Sequence, residues 1–319
     1  MTLKEQLKQF NRACARNVFY VLRWVIARLP YPIYKAVASF FVYVGYPLLN
    51  KKKRIALRNL HLAYGEEKSE EEIRSIYKHC YHNFAYGMID LIYFLDRPQE
   101  IGDKVEIVGK ENLDTALKNG KGAILLSAHY GNFILMYLKT VLAGYSTNVI
   151  MRRVHDPKWE EYISNFRRER GIKTIYDLPA RQCVQGCLKA LRSNEILFIL
   201  LDQNYGGDGR IFVDFFGEKA ATATGPVVFA TRTGAPILPV FIIGEGKQSH
   251  KLVIEPPIML DHYDDDQEMI EKNIAKLTKL IEDRIRERPY EWGGWMHKRW
   301  KSRTIEEQRI IDMLKEQEA

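Results

Sequence analysis

His129 follows an apolar, strand-like run in LLSAHYGNFILM, residues 125–136, and is itself followed by Gly131 and Asn132. An imidazole at the carboxyl end of a buried strand stands where α/β proteins build their sites, and it can take or give a proton near neutral pH. Gly131 lets the backbone come close to a ligand, and the amides that open the next helix can stabilise developing negative charge. Two other strand-like runs carry polar residues off their ends. NVIMRR delivers Arg152 and Arg153, and ILFILLDQN delivers Asp202, Gln203 and Asn204. A cation and a carboxylate at neighbouring strand ends can stabilise an oxyanion, bind phosphate or orient the histidine, or can form a structural ion pair at the rim.

Other chemistries find less support. Gly206, Gly207 and Gly209 make a flexible loop, but neither a dinucleotide nor a Walker pattern is present, so no nucleotide cofactor is expected. Ser127 lies in the strand before His129, faces away from its neighbours and has no GxSxG elbow around it. His79 and His82 sit three apart on a helix without a further ligand in a metal pattern, so no metal is expected. The four cysteines, Cys14, Cys80, Cys183 and Cys187, form no CxxC pair, which fits a reducing compartment.

The elements that must position these residues follow from periodicity. From Val105 onward, strand-like runs alternate with helical ones: VEIVG, GAILLSA, STNVIMRR, KTIYD, EILFILLD, RIFVDFFG, APILPVFII and KLVIEPPI, with helices between most of them and a long one over about 267–287 that Pro289 stops. This alternation predicts an α/β fold, a mixed and mostly parallel sheet flanked by helices. Residues 69–96 begin with a Ser cap and an acidic first turn and read as a helix facing the body of the domain. A tail rich in Trp, Lys and Arg ends in a charged helix.

The N-terminal stretch from Asn17 to Asn50 is apolar and aromatic, and Pro30 and Pro32 divide it into two helical halves. Its longest uncharged run, Ala36 to Asn50, is 15 residues, short of the roughly 20 that one membrane-crossing helix needs. The reading is an interfacial or embedded helical hairpin, with two core helices as the alternative. The basic cluster KKKRIALR, Lys51 to Arg58, suits an anionic lipid surface. Residues 1–60 are therefore assigned to a membrane-associated helical segment and 61–319 to the α/β domain. No secretory signal is evident at the start. The formal charge of +8 on 319 residues favours anionic partners. Nucleic acid is set aside among them, because the cations flank apolar aromatic segments and form no known reader.

Taken together and in this order, SAHYGNF, DQN, FVDFFGEKAATATGP, TGAPILPVF and WMHKRWK resemble the bacterial lipid A biosynthesis acyltransferases, the lauroyl and myristoyl transferases of the lysophospholipid acyltransferase superfamily. The resemblance covers nearly the whole chain. It implies an enzyme at the cytoplasmic face of the bacterial inner membrane that moves a fatty acyl chain from an acyl carrier protein or coenzyme A thioester to a hydroxyl of a membrane glycolipid or lysolipid. It makes His129 the general base, with Arg152 and Asp202 as pocket residues and Gly131, Asn132, Arg153, Gln203 and Asn204 around the substrate. The family's pattern places an acid five positions after the histidine, and Ile134 stands there. Another carboxylate, Asp202 first, must then support the imidazole, or the chain is a catalytically impaired relative that binds lipid at the membrane.

Overall fold

The computed structural model of the chain describes residues 3–95, 97–245 and 249–302. The charged helix expected at the end of the chain lies outside them. Four helices come first: α1 (Leu3–Ile26), α2 (Tyr31–Gly45), α3 (Asn50–Tyr64) and α4 (Glu70–Leu95). Pro30 and Pro32 flank the first residue of α2, where a missing backbone N–H costs nothing. A capping box starts α4: the Ser69 amide donates to Glu72 Oε2 at 2.8 Å and the Glu72 amide donates to Ser69 Oγ at 3.3 Å.

Alternation follows through α5 (Pro98–Lys104), β1 (Val105–Val108), α6 (Lys110–Lys118), β2 (Ala123–Ser127), α7 (Phe133–Leu142), β3 (Thr147–Met151), α8 (Pro157–Glu169), β4 (Ile172–Tyr176), α9 (Ala180–Arg192) and β5 (Ile196–Leu200). A hairpin, β6 (Ile211–Phe215) and β7 (Glu218–Thr222), leads to α10 (Gly225–Thr233), β8 (Ile237–Glu245), β9 (Ser249–Ile254) and α11 (Asp266–Glu287). Two short 3₁₀ turns, Pro289–Glu291 and Gly293–Met296, come last.

The main sheet has seven strands in the order β1-β9-β8-β2-β5-β3-β4. Its neighbours run parallel except for β8 and β9. The fold is thus a mixed, mostly parallel α/β sheet between helices, as the alternation predicts. Central strand β2 is buried along its whole length. Ile124 and Leu126 join the core on one face, and Ala123 and Leu125 join the core on the other. One strand-like run stands apart. RIFVDFFG becomes β6 and pairs antiparallel with β7 outside the main sheet. The two-residue connection carries Phe216 at φ 54° and Gly217 at φ 77°, the double left-handed geometry that matches strand twist in a tight hairpin.

The expected boundary at residue 60 falls inside α3. Ala56, Leu60, Ala63 and Tyr64 of that helix pack into the same core as Trp292 and Trp295. Helix α2 is apolar on both sides: Tyr34, Ala38 and Val42 are buried, while Ile33, Phe40, Phe41, Tyr43 and Val44 are exposed. Among the described residues no single helix is long and apolar enough to cross a membrane; Pro32–Gly45 and Asn50–Tyr64, bent by 78°, have the length and composition only together.

Candidate active site

Strand register brings the first two site residues together. In the β2–β5 ladder Ser127 lies opposite Leu200, and the Leu201 amide donates to Ser127 O at 3.0 Å. Two residues further along each chain stand His129 and Asp202, so the parallel register sets imidazole beside carboxylate. His129 Nδ1 lies 2.8 Å from Asp202 Oδ1. The Asp202 side chain is fully buried, whereas that of His129 is 25% exposed. A carboxylate only accepts, so the contact assigns the proton to Nδ1 and leaves Nε2 with its lone pair outward. The Gln203 amide nitrogen sits 3.1 Å from that Nε2. The Phe133 ring packs edge-on against the imidazole at 4.8 Å.

The second oxygen of Asp202 is held from far along the chain. Trp292 Nε1 donates to Asp202 Oδ2 at 2.7 Å. Backbone pairing delivers this indole. Residues 291–293 lie antiparallel to the turn at His129 to Gly131, with the Gly131 amide donating to Glu291 O at 2.9 Å and the Gly293 amide to His129 O at 2.9 Å. Trp292 is fully buried and meets Trp295 edge-on at 4.5 Å. Gly131 is at φ 55°, and a Cβ there would come within 2.4 Å of Ile242 O, so this turn admits only glycine.

Arg299, 1% exposed, fixes the loop that follows Asp202. It donates to Gln203 O at 3.0 Å, Ala221 O at 2.6 Å and Thr222 Oγ1 at 2.8 Å, and so ties hairpin β6–β7 to the end of β5. Burial pulls its pKa down to about 10 against the favourable charge of Asp202, and it remains a cation at neutral pH. Sequence reasoning missed Trp292 and Arg299 as site residues. The available signal was a tail, WGGWMHKRWK, that combines three tryptophans with cations and has no acid.

Burial alone would raise the Asp202 carboxyl, but the charge of His129 and the hydrogen bonds from His129 and Trp292 outweigh it and hold the group at about 2. A carboxyl depressed in the folded state adds stability that is present above its unfolded value near 3.8 and is lost as pH falls through about 2. The expected contribution is about 2 kcal/mol. Urea unfolding of wild type and Asp202→Asn should therefore differ at pH 5 and converge from about pH 4 to pH 2. A difference that persists unchanged to pH 2 would show that the carboxylate is not held ionised.

The remaining expected residues are placed as follows. Arg152 is not brought to the imidazole: β5 stands between β2 and β3, and the guanidinium, 78% exposed, pairs with Asp177 at 2.9 Å. Of the alternatives for this residue, the rim ion pair is the one formed. Arg153 stacks on Tyr176 at 4.0 Å. Asn132 donates to Gly87 O of α4 at 3.1 Å, and Asn204 accepts from the Ser302 amide at 2.9 Å. Ser127 contacts Met136 Sδ at 3.8 Å. Among the described residues no group of three or more His, Cys, Asp or Glu is arranged to hold a metal ion.

The sequence pattern of the family described as bacterial lipid A biosynthesis acyltransferase matches residues 6–302. The chain belongs to that family. Among curated lipid A biosynthesis acyltransferases, the palmitoleoyltransferase of Escherichia coli (strain K12) is 24% identical over 293 residues, 89% of this chain and 90% of that one. The lauroyltransferase of the same organism is 26% identical over 288 residues, 88% of this chain and 89% of that one. Among solved structures, the chain is similar to the 1-acyl-sn-glycerophosphate acyltransferase of Thermotoga maritima at 15% identity, with a TM-score of 0.38 over 86% of this chain and 99% of that one. In this member of the family Ile134 lies in the first turn of α7 and packs, half-buried, against the apolar core.

Proposed function

We propose that this chain transfers a fatty acyl group from an acyl thioester, carried by an acyl carrier protein or coenzyme A, to a hydroxyl of a membrane glycolipid or lysolipid such as a lipid A precursor. The observation that carries the reading is the 2.8 Å contact between His129 Nδ1 and the buried Asp202. With Nδ1 protonated and held, Nε2 is the base. The exposed Gln203 amide moves aside, and the acceptor hydroxyl takes its place at Nε2. As the hydroxyl oxygen attacks the thioester carbonyl, its proton passes to Nε2. The negative charge gathers on the carbonyl oxygen, near the amides of the first turn of α7. Collapse of that intermediate breaks the carbon–sulfur bond, and the imidazolium returns the proton to the departing thiolate. The products are an ester and a thiol, and no enzyme side chain is acylated.

The contact with Asp202 favours this reading over a lipid-binding relative without activity. Ile134 cannot accept the imidazole hydrogen bond, but Asp202 already does so from β5. Mass spectrometry of lipids from cells with and without the protein, together with purified protein supplied with an acyl thioester, tests it. A missing acylated lipid and matched formation of ester and thiol are expected. Unchanged lipids and an untouched thioester would leave the lipid-binding reading standing.

The exposed apolar side chains of α1 and α2, among them Trp24, Phe40 and Phe41, support seating on a bilayer, with the cations Lys51 to Arg54 following at headgroup depth. Replacing both Phe40 and Phe41 with Ser should lower the fraction that sediments with anionic vesicles severalfold, while the melting temperature stays within a few degrees. Equal sedimentation of both forms would place the contact elsewhere.

A further inference from the structure

A second imidazole stands beside the first. His297 follows the 3₁₀ turn Gly293–Met296, in the segment whose Trp292 holds Asp202. Its backbone is fixed on several sides. The His297 amide donates to Gly294 O at 2.9 Å, and its carbonyl accepts from the Arg299 amide at 3.1 Å and from Asn59 Nδ2 of α3 at 2.6 Å. Lys52, also on α3, donates from Nζ to Met296 O at 3.2 Å. The imidazole itself is exposed and enters no hydrogen bond among the described residues. A pinned main chain carrying an unengaged imidazole is the disposition of a group that meets a ligand, since the turn is held without it.

The His297 ring lies 6.3 Å from that of His129, centroid to centroid, with the planes 33° apart. At that spacing the two can serve one reacting centre: an oxygen about 3 Å from His129 Nε2 and a sulfur about 3.5 Å from His297 can be substituents of the same carbon. The electrostatics agree. The chain around His297 desolvates the ring, and this, with the charges of Lys52 and His129, lowers its pKa, while Asp202 opposes them. A neutral imidazole keeps one N–H to donate. Lys52 brings a positive charge to the same place, which favours negative charge developing there.

The tetrahedral intermediate of the proposed transfer has three heteroatoms to be met. His129 Nε2 takes the acceptor oxygen, and the first turn of α7 faces the carbonyl oxygen. The sulfur is left, and it is the atom that must depart with an electron pair. We propose that His297 donates a hydrogen bond to the thioester sulfur as the carbon–sulfur bond breaks, with the Lys52 cation behind it. The balance of the reaction is unchanged. The ester bond forms, the electron pair of the carbon–sulfur bond goes to sulfur, and the acceptor's proton reaches that sulfur by way of His129 Nε2. His297 lends its N–H and moves no proton of its own. The inference rests on the proposed acyl transfer.

Paired thioesters of several fatty acyl chain lengths test it, with the purified full chain and, as acceptor, the total lipid of cells lacking the protein. In one series the leaving thiol is pantetheine, an alkyl thiol; in the other it is thiophenol, whose thiolate departs without help. His297→Ala is expected to lower kcat with the pantetheine thioesters about tenfold or more and with the thiophenyl thioesters less than about twofold, while the acceptor KM and the melting temperature stay as in wild type. His297→Gln, which keeps an N–H, should recover part of the loss. Equal slowing with both series, or wild-type rates with both, would overturn the role of His297 and leave the transfer reading standing. A wild-type protein that turns over neither series would overturn both.

Discussion

His129→Ala is expected to slow acyl transfer by about 10²–10⁴-fold with the fold intact, because the variant has no base at the acceptor hydroxyl. Simultaneous measurement of ester formation and thiol release checks this, and a wild-type rate would remove the histidine from the mechanism. Asp202→Asn should approach the same loss. An Asp→Asn change behind a catalytic histidine elsewhere lowers kcat by about 10⁴-fold, since the asparagine amide can donate to Nδ1 and invert the tautomer. The double variant should be little slower than the slower single one, as groups acting as one unit are far from additive. By the same reasoning Ile134→Glu brings little gain, since its new carboxylate would compete for a nitrogen that Asp202 already holds.

Arg299→Met is expected to destabilise the protein by about 3–5 kcal/mol, with the loss read from the urea midpoint at constant m value. Gln203 O, Ala221 O and Thr222 Oγ1 lose the Arg299 donor together, Ala221 O keeping the Tyr205 amide at 3.1 Å, and Asp202 loses a neighbouring cation. Arg299→Lys should recover only part of the loss, because a single ammonium cannot reproduce the planar fork. Stability within 1 kcal/mol of wild type for Arg299→Met would mean that water or a shifted hairpin meets those acceptors.

Much of this architecture was legible in the chain because apolar runs and turn residues act locally. GAILLSA and EILFILLD read as buried strands; His129 directly follows the first run and Asp202 closes the second. What brings the two into contact is register, and register is a property of two strands that neither one shows alone. Strand β7 was not legible: Glu218–Thr222, EKAAT, carries one β-branched residue and no aromatic one, and it is a strand because the turn at Phe216 and Gly217 folds it back on β6. Arg152 followed a strand as Asp202 did, yet strand order put β5 between it and the histidine. Trp292 and Arg299 meet their partners across 90 and 78 positions, beyond the reach of any periodicity.

The antiparallel lacing of residues 291–293 along the turn that carries His129 has a consequence in time. A chain is made from its first residue onward, and the sheet that carries His129 and Asp202 is complete once β9 has been added. Asp202 Oδ2, the Gly131 amide and the His129 carbonyl then still lack their partners. Those partners arrive within three consecutive residues, after α11 has been made. A nascent chain halted before Trp292 would thus hold a folded sheet and a loosely supported imidazole, so competence for proton transfer would come only after α11 and the turn beyond it have been made.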